Sequence, residues 1–297
     1  MDTTKLESSE TVQKVGFRNF FTRLFREKKL GALGMIIVIS FLLVGIFAES
    51  LAPYGIRAKK ILHRLKGPSL QYPLGTDHLG RDQLSRIIYG ARVSMIVSLS
   101  ATAIGLVIAL SIGLVSGYWG GKFDLVVQRF VDAWLTFPWL FIVLTIMSLL
   151  GQGLLQMIVV LGAFTGIGNI RMVRGVVMTV KENDYVKAAL ALGCSTSRIL
   201  IKHILPQIWP PIIVVFTVNV GAIMLSEATI SFLGFGIAPP QPSWGSMLSM
   251  EGRKYMEAAP ALALLPGLLL AIVVYGINMF GDAMRDLLDP KLRGAGL

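Results

Sequence analysis

Five long stretches without a single charged residue constrain this chain more than any other feature of its sequence. A helix that crosses the hydrocarbon core of a bilayer needs about 20 apolar residues. The third stretch is too long for one helix, and Gly151-Gln152-Gly153 interrupts it with residues typical of a turn. The pattern therefore predicts six membrane-spanning helices. The stretches cover residues 31–48, 93–121, 133–170, 205–226 and 258–281.

The composition excludes the main alternative fold classes. Hydrophobic residues make up 54% of the 297 residues and charged residues only 15%, whereas a soluble domain carries about 25% charged residues. Disorder and a coiled coil do not fit these values, and the single cysteine, Cys194, allows no internal disulfide. We therefore predict an all-α membrane protein.

The positive charges predict the orientation in the membrane. The chain has 28 Lys and Arg against 17 Asp and Glu, a net charge of +11. In a membrane protein such an excess marks cytoplasmic segments more often than nucleic-acid binding. If the N-terminus is cytoplasmic, the inner segments hold 18 of these basic residues and the outer ones 10. We predict a multi-pass membrane protein with both termini in the cytoplasm.

The first 30 residues are predicted to be a cytoplasmic tail that carries an amphipathic helix. Apolar side chains recur there at the spacing of one helix face, with five basic residues among and after them, which is typical of a helix lying in the membrane interface. No small-residue cleavage site follows the first span, so we expect that span to remain as an anchor. The apolar residues are Phe17, Phe20, Phe21, Leu24 and Phe25.

The spans and loops divide the chain into five segments. The tail at 1–30 is followed by the first span at 31–52 and a basic extracytoplasmic loop at 53–92. A core domain with the other five spans is expected over 93–290, and a short cytoplasmic tail over 291–297.

Small residues recur every fourth position along the second span. A stripe of this kind lets another helix approach closely, which is how membrane helices associate. The pattern leaves open whether the partner helix belongs to the same chain or to another subunit. The stripe consists of Ala101, Gly105, Ala109, Gly113 and Gly117, and Gly162 and Gly166 repeat it in the fourth span.

Few acidic or strongly polar residues lie within the spans. Asp132 begins the third span, Glu227 lies towards the outer end of the fifth, and Asn219 is the clearest polar residue in its middle. Transporters coupled to protons or sodium usually place carboxylates near the membrane midplane. The sequence therefore disfavours a secondary transporter, and Glu227 is better interpreted as part of a local polar network than as part of a pathway.

Residues 182–206 predict a helix, a turn and a second helix between the fourth and fifth spans. Residues 185–192 favour a helix, and Gly193 suits the left-handed position that ends one. Ser195 or Thr196 can cap the next helix, and Pro206 marks the start of the fifth span. A compact helical hairpin joined to two spans would be a good lever for a soluble partner.

This hairpin resembles the EAA loop of permease subunits in ATP-driven (ABC) importers, whose pattern is Glu-Ala-Ala, three residues, Gly, and a stretch ending in Leu-Pro. Lys187 departs from the pattern, because the family usually has Glu there and the charge is reversed. The resemblance implies that the hairpin couples the permease to an ATPase. The residues implied in this coupling are Lys187, Ala188, Ala189, Gly193, Ser195, Leu205 and Pro206.

Three further segments are similar to the second, C-type, permease subunit of dipeptide, oligopeptide and nickel importers. They are residues 75–92, 231–245 and 278–290, and the resemblance covers about residues 17–290. It implies a place in the bacterial inner membrane and the type I ABC importer permease fold. It also implies alternating access through a pathway of which this chain forms half. The implied partners are a similar permease subunit, two ATPase subunits and an extracytoplasmic solute-binding protein.

The sequence contains no catalytic site that we can identify. It lacks the Gly-rich loop that cradles the phosphates of ATP, and its three histidines fall in separate segments. We therefore expect no enzyme activity and no metal or cofactor bound by this chain, with ATP and magnesium used by the partner ATPases. Three alternatives stay open: the same architecture importing nickel or another small solute, a secondary transporter, and a membrane-embedded enzyme. Residues that bind the solute are not identifiable.

Overall fold

The structure is a computed structural model that describes residues 17–288. Within this range the chain is helical and contains no β-strand, only an isolated bridge between Thr76 and Asp82. This confirms the predicted all-α class. The predicted tail at 291–297 and most of the predicted N-terminal tail lie outside the described residues. The α-helices are α1 (Phe17–Glu27), α2 (Lys29–Ile46), α3 (Ala48–Leu51), α4 (Gln83–Trp119), α5 (Gly121–Thr136), α6 (Trp139–Leu150), α7 (Leu154–Lys181), α8 (Asp184–Ala191), α9 (Thr196–Arg198), α10 (Leu205–Phe232), α11 (Trp244–Ser246), α12 (Gly252–Lys254) and α13 (Ala261–Leu288).

Five helical segments are long and apolar enough to cross a membrane, and the pair α5 and α6 makes a sixth if it counts as one bent span. The bend in this pair is 87°. It falls at Phe137-Pro138, because a residue before proline is pushed out of the helical region and proline has no N–H to donate. Phe137 accordingly has an extended ψ of 139°. The expected third span is therefore present in a broken form.

The bent pair runs antiparallel to α7. Near one end of α7, Arg174 forms an ion pair with Asp124 of α5. Farther along, Phe164 of α7 contacts Trp139 at the start of α6. Val143 of α6 then lies in the same buried cluster as residues near the other end of α7. The pair follows α7 along most of its length, as a bent span would.

The stripe of small residues on α4 lies against α7 of the same chain. A Cβ atom added to Gly105 would lie 3.1 Å from the Gly162 carbonyl oxygen, and one added to Gly117 would lie 2.9 Å from the Arg174 carbonyl oxygen. Gly113 is equally close to Val173, and Ala101 and Ala109 are buried. Two long helices can approach this closely because the glycines of each helix leave room for the backbone and the β-branched side chains of the other.

Helix α1 packs beside the first and last spans. Leu24 is fully buried in a cluster with residues of α2 and α13, while Phe25 is half exposed. Lys28, at the junction of α1 and α2, donates to Asp286 of α13 at 2.6 Å. Because one side of α1 is buried against the bundle, it presents an amphipathic helix as predicted, although the side chains of Phe17 and Phe20 lie outside the described residues.

The bundle carries a folded segment at each end. We call the end that carries residues 182–206 the hairpin end, and the opposite end, which carries residues 52–82, the loop end. Helix α4 begins at Gln83, so the last part of the expected loop at 53–92 is helical. Asp82 caps α4 by accepting a hydrogen bond from the Ser85 backbone N–H at 2.8 Å.

Candidate functional site

The hairpin at 182–206 connects α7 directly to α10. Helix α8 follows α7 after a two-residue turn, and α9 leads through a π-helical turn, Ile199–Ile204, into α10. From Thr196 to Phe232 the chain is helical throughout. Any displacement of the hairpin therefore acts on two spans with no flexible linker on the α10 side.

Gly193 ends α8 in the left-handed region, with a φ of +76°. Its N–H donates to the Leu190 carbonyl at 3.0 Å, and the Cys194 N–H donates to the Ala189 carbonyl at 3.1 Å. These two bonds form a Schellman motif, the helix ending that favours glycine. No atom lies within 4 Å of a Cβ added there, so backbone conformation and not space requires glycine at this position.

One side of α8 is buried against the bundle. Val186 is 4% exposed and Ala189 is 6% exposed. They lie in one cluster with apolar residues of α7, the π-helical turn and α10, so the hairpin packs on both spans that it joins. The other buried members of this cluster are Ala109, Val173, Val177, Ile199, Ile204, Ile208 and Ile212.

The other side of the hairpin presents large apolar side chains to solvent. Tyr185 is 42% exposed, Leu190 is 60% exposed and Leu192 is 84% exposed. Ala188 is also exposed. Because these side chains project from a packed helical hairpin, they form a firm apolar surface suited to a protein partner.

Lys187 lies on the exposed side and pairs with Glu182 of the same hairpin at 3.2 Å. Both side chains are more than half exposed, so the pair contributes little to stability. The positive charge of Lys187, at a position where the family usually has Glu, thus lies next to an acidic side chain.

The remaining predicted hairpin residues lie at the second helix of the hairpin. Ser195 occupies the N-cap position of α9, but its side chain makes no capping hydrogen bond. Leu205 is half-buried at the start of α10, and Pro206 is exposed in its first turn. The π-helical turn comes just before Pro206, and it accommodates a residue that has no N–H to donate. The part that these residues play in coupling stays a prediction.

A partly buried ion pair near the hairpin end was not expected from the sequence. Arg174 of α7 binds the Asp124 carboxylate of α5 through two hydrogen bonds of 2.5 Å each. Ser116 of α4 donates to the same carboxylate at 2.5 Å, and a second ion pair joins Arg171 and Asp132. These contacts tie α4, α5 and α7 together beside the hairpin. The only signal in the sequence was that Asp124 and Arg174 border charge-free stretches on the same predicted side.

Glu227 is fully buried near the loop end among serines. Ser231 donates to one carboxylate oxygen at 2.7 Å and Ser94 donates to the other at 3.3 Å. Ser243, 3.5 Å from the Ser231 hydroxyl, extends this network to the segment after α10. The placement matches the interpretation of Glu227 as part of a local polar network.

The concave side of the bent pair α5 and α6 forms an open apolar groove of about 460 Å³. Aromatic side chains dominate its lining, namely Phe130, Trp134, Phe137 and Phe141. Among residues 17–288 no group of three or more His, Cys, Asp and Glu side chains is arranged to hold a metal ion. Asn219 borders a second, tighter pocket between α4, α7 and α10.

Comparison with family models gives two matches that together span most of the chain. Residues 105–294 match the binding-protein-dependent transport system inner membrane component. Residues 18–68 match the N-terminal transmembrane domain of oligopeptide transport permease C. The first match includes the hairpin, and the second includes α1 and α2.

Individual proteins are similar over nearly the whole chain. The dipeptide transport system permease protein DppC of Alkalihalophilus pseudofirmus is 38% identical over 93% of this chain and 90% of its own length. The glutathione transport system permease protein GsiD of Escherichia coli is 37% identical over 92% of this chain and 90% of its own.

A solved structure is similar in fold. The inward-facing MetNI methionine ABC transporter aligns with a TM-score of 0.58 and 19% identity, over 69% of this chain and 97% of the matched chain. The expected ABC importer permease fold is thereby confirmed.

Proposed function

The chain belongs to the family of binding-protein-dependent transport system inner membrane components, and on this premise we propose that it is a permease subunit that imports di- or oligopeptides. It is a multi-pass membrane permease of ABC importers and not an enzyme. The peptide substrate is supported by the relatives, whose names describe dipeptide and glutathione transport, and by the N-terminal match to oligopeptide permease C.

The hairpin is the proposed docking site for an ATPase subunit. The observation that carries this proposal is its two-sided construction: Val186 and Ala189 are buried against the two spans, while Tyr185, Leu190 and Leu192 face solvent. A partner that binds the exposed side and moves would shift α7 and α10 together, because the buried side is packed on both.

The ion pair of Asp124 and Arg174 extends that movement to α5. Arg174 holds Asp124 through two charge-assisted hydrogen bonds, which are stronger than hydrogen bonds between neutral groups, so α5 stays attached when α7 shifts. The groove on the concave side of α5 and α6 would then change its accessibility from the two sides of the membrane. We propose that this groove faces a pathway shared with a similar, second permease subunit and that ATP binding and hydrolysis alternate its access.

This function requires the hairpin end to be cytoplasmic, since ATP is in the cytoplasm. The same orientation places α1 and both termini in the cytoplasm and the loop end outside. It agrees with the excess of Lys and Arg in the inner segments. A solute-binding protein would then approach from the loop end.

The experiment that tests the proposal is gentle extraction of the tagged chain from its native membrane, followed by identification of the proteins that co-purify. We expect a second permease and ATPase subunits in stoichiometric amounts. A photocrosslinker at Leu192 should form an adduct with an ATPase subunit, and one at Phe123, a half-exposed residue outside the hairpin, serves as the matched control. Recovery of the chain alone, with no ATPase adduct at Leu192, would contradict the proposal.

A further inference from the structure

The loop end carries an exposed ridge with a strongly basic composition. It consists of residues 59–66, Lys-Lys-Ile-Leu-His-Arg-Leu-Lys, which we call the basic ridge. A short 3-10 turn at Ile61–His63 forms its crest. Ile61 is 68% exposed and Leu62 is 94% exposed, so two large apolar side chains project fully into solvent.

The backbone of the basic ridge is fixed from beneath. Hydrogen bonds join it to residues 76–80 at both ends, and His63 Nδ1 lies 2.8 Å from the Tyr72 hydroxyl. Gly80, with a φ of +70°, lies directly against the Lys60 carbonyl, where any side chain would collide. The exposed leucine and isoleucine are therefore held in place and do not belong to a loose loop. The backbone bonds run from Lys60 N to Gly80 O at 3.2 Å, from Leu65 N to Asp77 O at 3.0 Å and from Thr76 N to Lys66 O at 3.0 Å.

Asp77 organises the segment that supports the basic ridge. Its carboxylate is 1% exposed and accepts hydrogen bonds from the backbone N–H groups of Leu79 and Arg81 at 2.8 and 2.9 Å. The side chains of Arg81 and Arg86 reach the same carboxylate at 2.6 and 3.1 Å. The negative charge of Asp77 is thereby neutralised within the loop by two arginines, in the segment that supports the basic ridge.

The charge on the basic ridge is all of one sign. Lys59, Lys60, Arg64 and Lys66 are exposed, and the segment contains no Asp or Glu. Partial desolvation, together with Lys66 and Lys60, lowers the pKa of His63 below its usual value, so His63 stays neutral at neutral pH. Four fixed positive charges surround two exposed apolar side chains, an arrangement that fits an acidic surface with an apolar recess.

The basic ridge is joined to Tyr255, which lies in the part of the chain between α10 and α13. Arg64 Nη2 donates to the Tyr255 hydroxyl at 3.3 Å, and its guanidinium lies over the same ring. His78 stacks on the Tyr255 ring, with the two ring centroids 5.4 Å apart. The first long loop, through the basic ridge, is therefore in contact with the segment between α10 and α13.

We propose that the basic ridge is the docking surface for a soluble extracytoplasmic protein whose docking face is acidic around an apolar recess. The inference rests on the proposed function, within which this protein is the one that delivers the solute. A soluble protein fits better than lipid headgroups, because Ile61 and Leu62 form a narrow crest held by the folded loop beneath it and not the broad apolar face of a helix that lies in a membrane interface.

The first test is photocrosslinking in cells that express the full complex. A crosslinker at Leu62 should form an adduct with a soluble solute-binding protein, identified by mass spectrometry, and one at Leu192 should form an adduct with an ATPase. An adduct of Leu62 with lipid, with the other permease or with nothing would overturn the docking proposal. Loss of the Leu192 adduct alone would count against the proposed function and leave the ridge standing.

The second test measures how that solute-binding protein, once purified, stimulates ATP hydrolysis by the complex in nanodiscs. The double variant Lys59→Glu and Lys60→Glu should raise its half-maximal concentration at least tenfold and flatten the dependence on salt, because rim charges steer association. Lys122→Glu, the same change at an exposed lysine of the hairpin end, should leave it unchanged. Basal hydrolysis should be unaffected by both changes.

The two proposals fail in different ways in this assay. An unchanged half-maximal concentration for the double variant, with normal basal hydrolysis, would overturn the docking surface and leave the permease function intact. A complex that purifies without any ATPase would overturn the permease function, and the Leu62 adduct would then still decide the role of the ridge.

Discussion

The hairpin end and the loop end each carry a folded segment outside the spans, but different forces hold the two segments. At the hairpin end, α8 packs through apolar side chains onto α7 and onto the π-helical turn that leads into α10. At the loop end, residues 59–82 are held by hydrogen bonds and by ion pairs to the buried Asp77. One segment shares the core of the bundle, whereas the other has a polar core of its own.

The difference corresponds to what each end is proposed to do. Apolar packing is not directional, so the hairpin can shift as a unit with its spans and still keep its buried area. A hydrogen-bonded loop has strict geometry and loses much of its stability when a single partner is removed. We therefore expect the hairpin end to transmit movement and the loop end to present a fixed surface.

The largest effect is expected from removing the centre of the polar core. Asp77→Ala takes the carboxylate away from two arginines and two backbone N–H groups and should cost about 3–5 kcal/mol, the cost of breaking a buried charge pair. Asp184→Ala, at an exposed aspartate in the first turn of α8, is the matched control and should cost less than about 1 kcal/mol. Limited proteolysis of residues 52–82 and thermal unfolding in detergent measure both. Equal losses for the two variants would contradict the contrast between the ends.

The next effect tests the apolar packing of the hairpin. Ile204 is fully buried and Ile201, in the same π-helical turn, is 63% exposed. Ile204→Ala should cost about 2–5 kcal/mol because it leaves a cavity, and Ile201→Ala should cost less than about 0.5 kcal/mol. The same unfolding measurement applies. If the transport rate per ATP hydrolysed fell equally in both variants, packing against the spans would not be what couples the hairpin to them.

A smaller effect is expected at the turn of the hairpin. Gly193→Val should cost about 1–2 kcal/mol, because a residue with a Cβ is disfavoured in the left-handed region, and it should uncouple ATP hydrolysis from transport. Gly193→Asn should be close to the original protein, since asparagine adopts this conformation more readily than other residues. Transport and hydrolysis are measured together at matched expression. Normal transport by the valine variant would refute a role for the turn geometry.

The smallest effect concerns the reversed charge in the hairpin. Lys187→Glu places a second acid beside Glu182 and should cost at most about 0.5–1 kcal/mol, because both side chains are exposed. Adding Glu182→Lys should restore the loss, in a double-mutant cycle read by thermal unfolding. A loss of transport that the second change does not rescue would show that Lys187 contacts the partner directly.

Much of the fold could be predicted because it depends on short-range patterns. Charge-free stretches identify the spans, since burying charge in a bilayer is costly wherever the residue lies along the helix. The turn at Gly193 was predictable for a similar reason, because the conformation required there is local to one residue. The four-residue stripe on α4 was equally visible, but the identity of its partner helix was not.

Other features depend on residues far apart in the chain. The pairing of Asp124 with Arg174 joins two helices, and the sequence alone does not distinguish it from the other possible pairs of acidic and basic residues. The support of the basic ridge by residues 76–80 is likewise a matter of how the loop folds back on itself. The bend at Phe137-Pro138 had a visible cause in the proline, yet its effect on the third span was not expected.

The sequence alone determined that this protein is a helical membrane permease with a hairpin between its fourth and fifth spans, because hydropathy, helix signals and family motifs all act over a few neighbouring residues. Only the tertiary structure decided that the small-residue stripe packs on α7 and that Asp124 pairs with Arg174. It also decided that hydrogen bonds hold the basic ridge with its apolar crest exposed. Contacts of this kind depend on distances between segments well separated along the chain, and these distances are set only once the helices have packed.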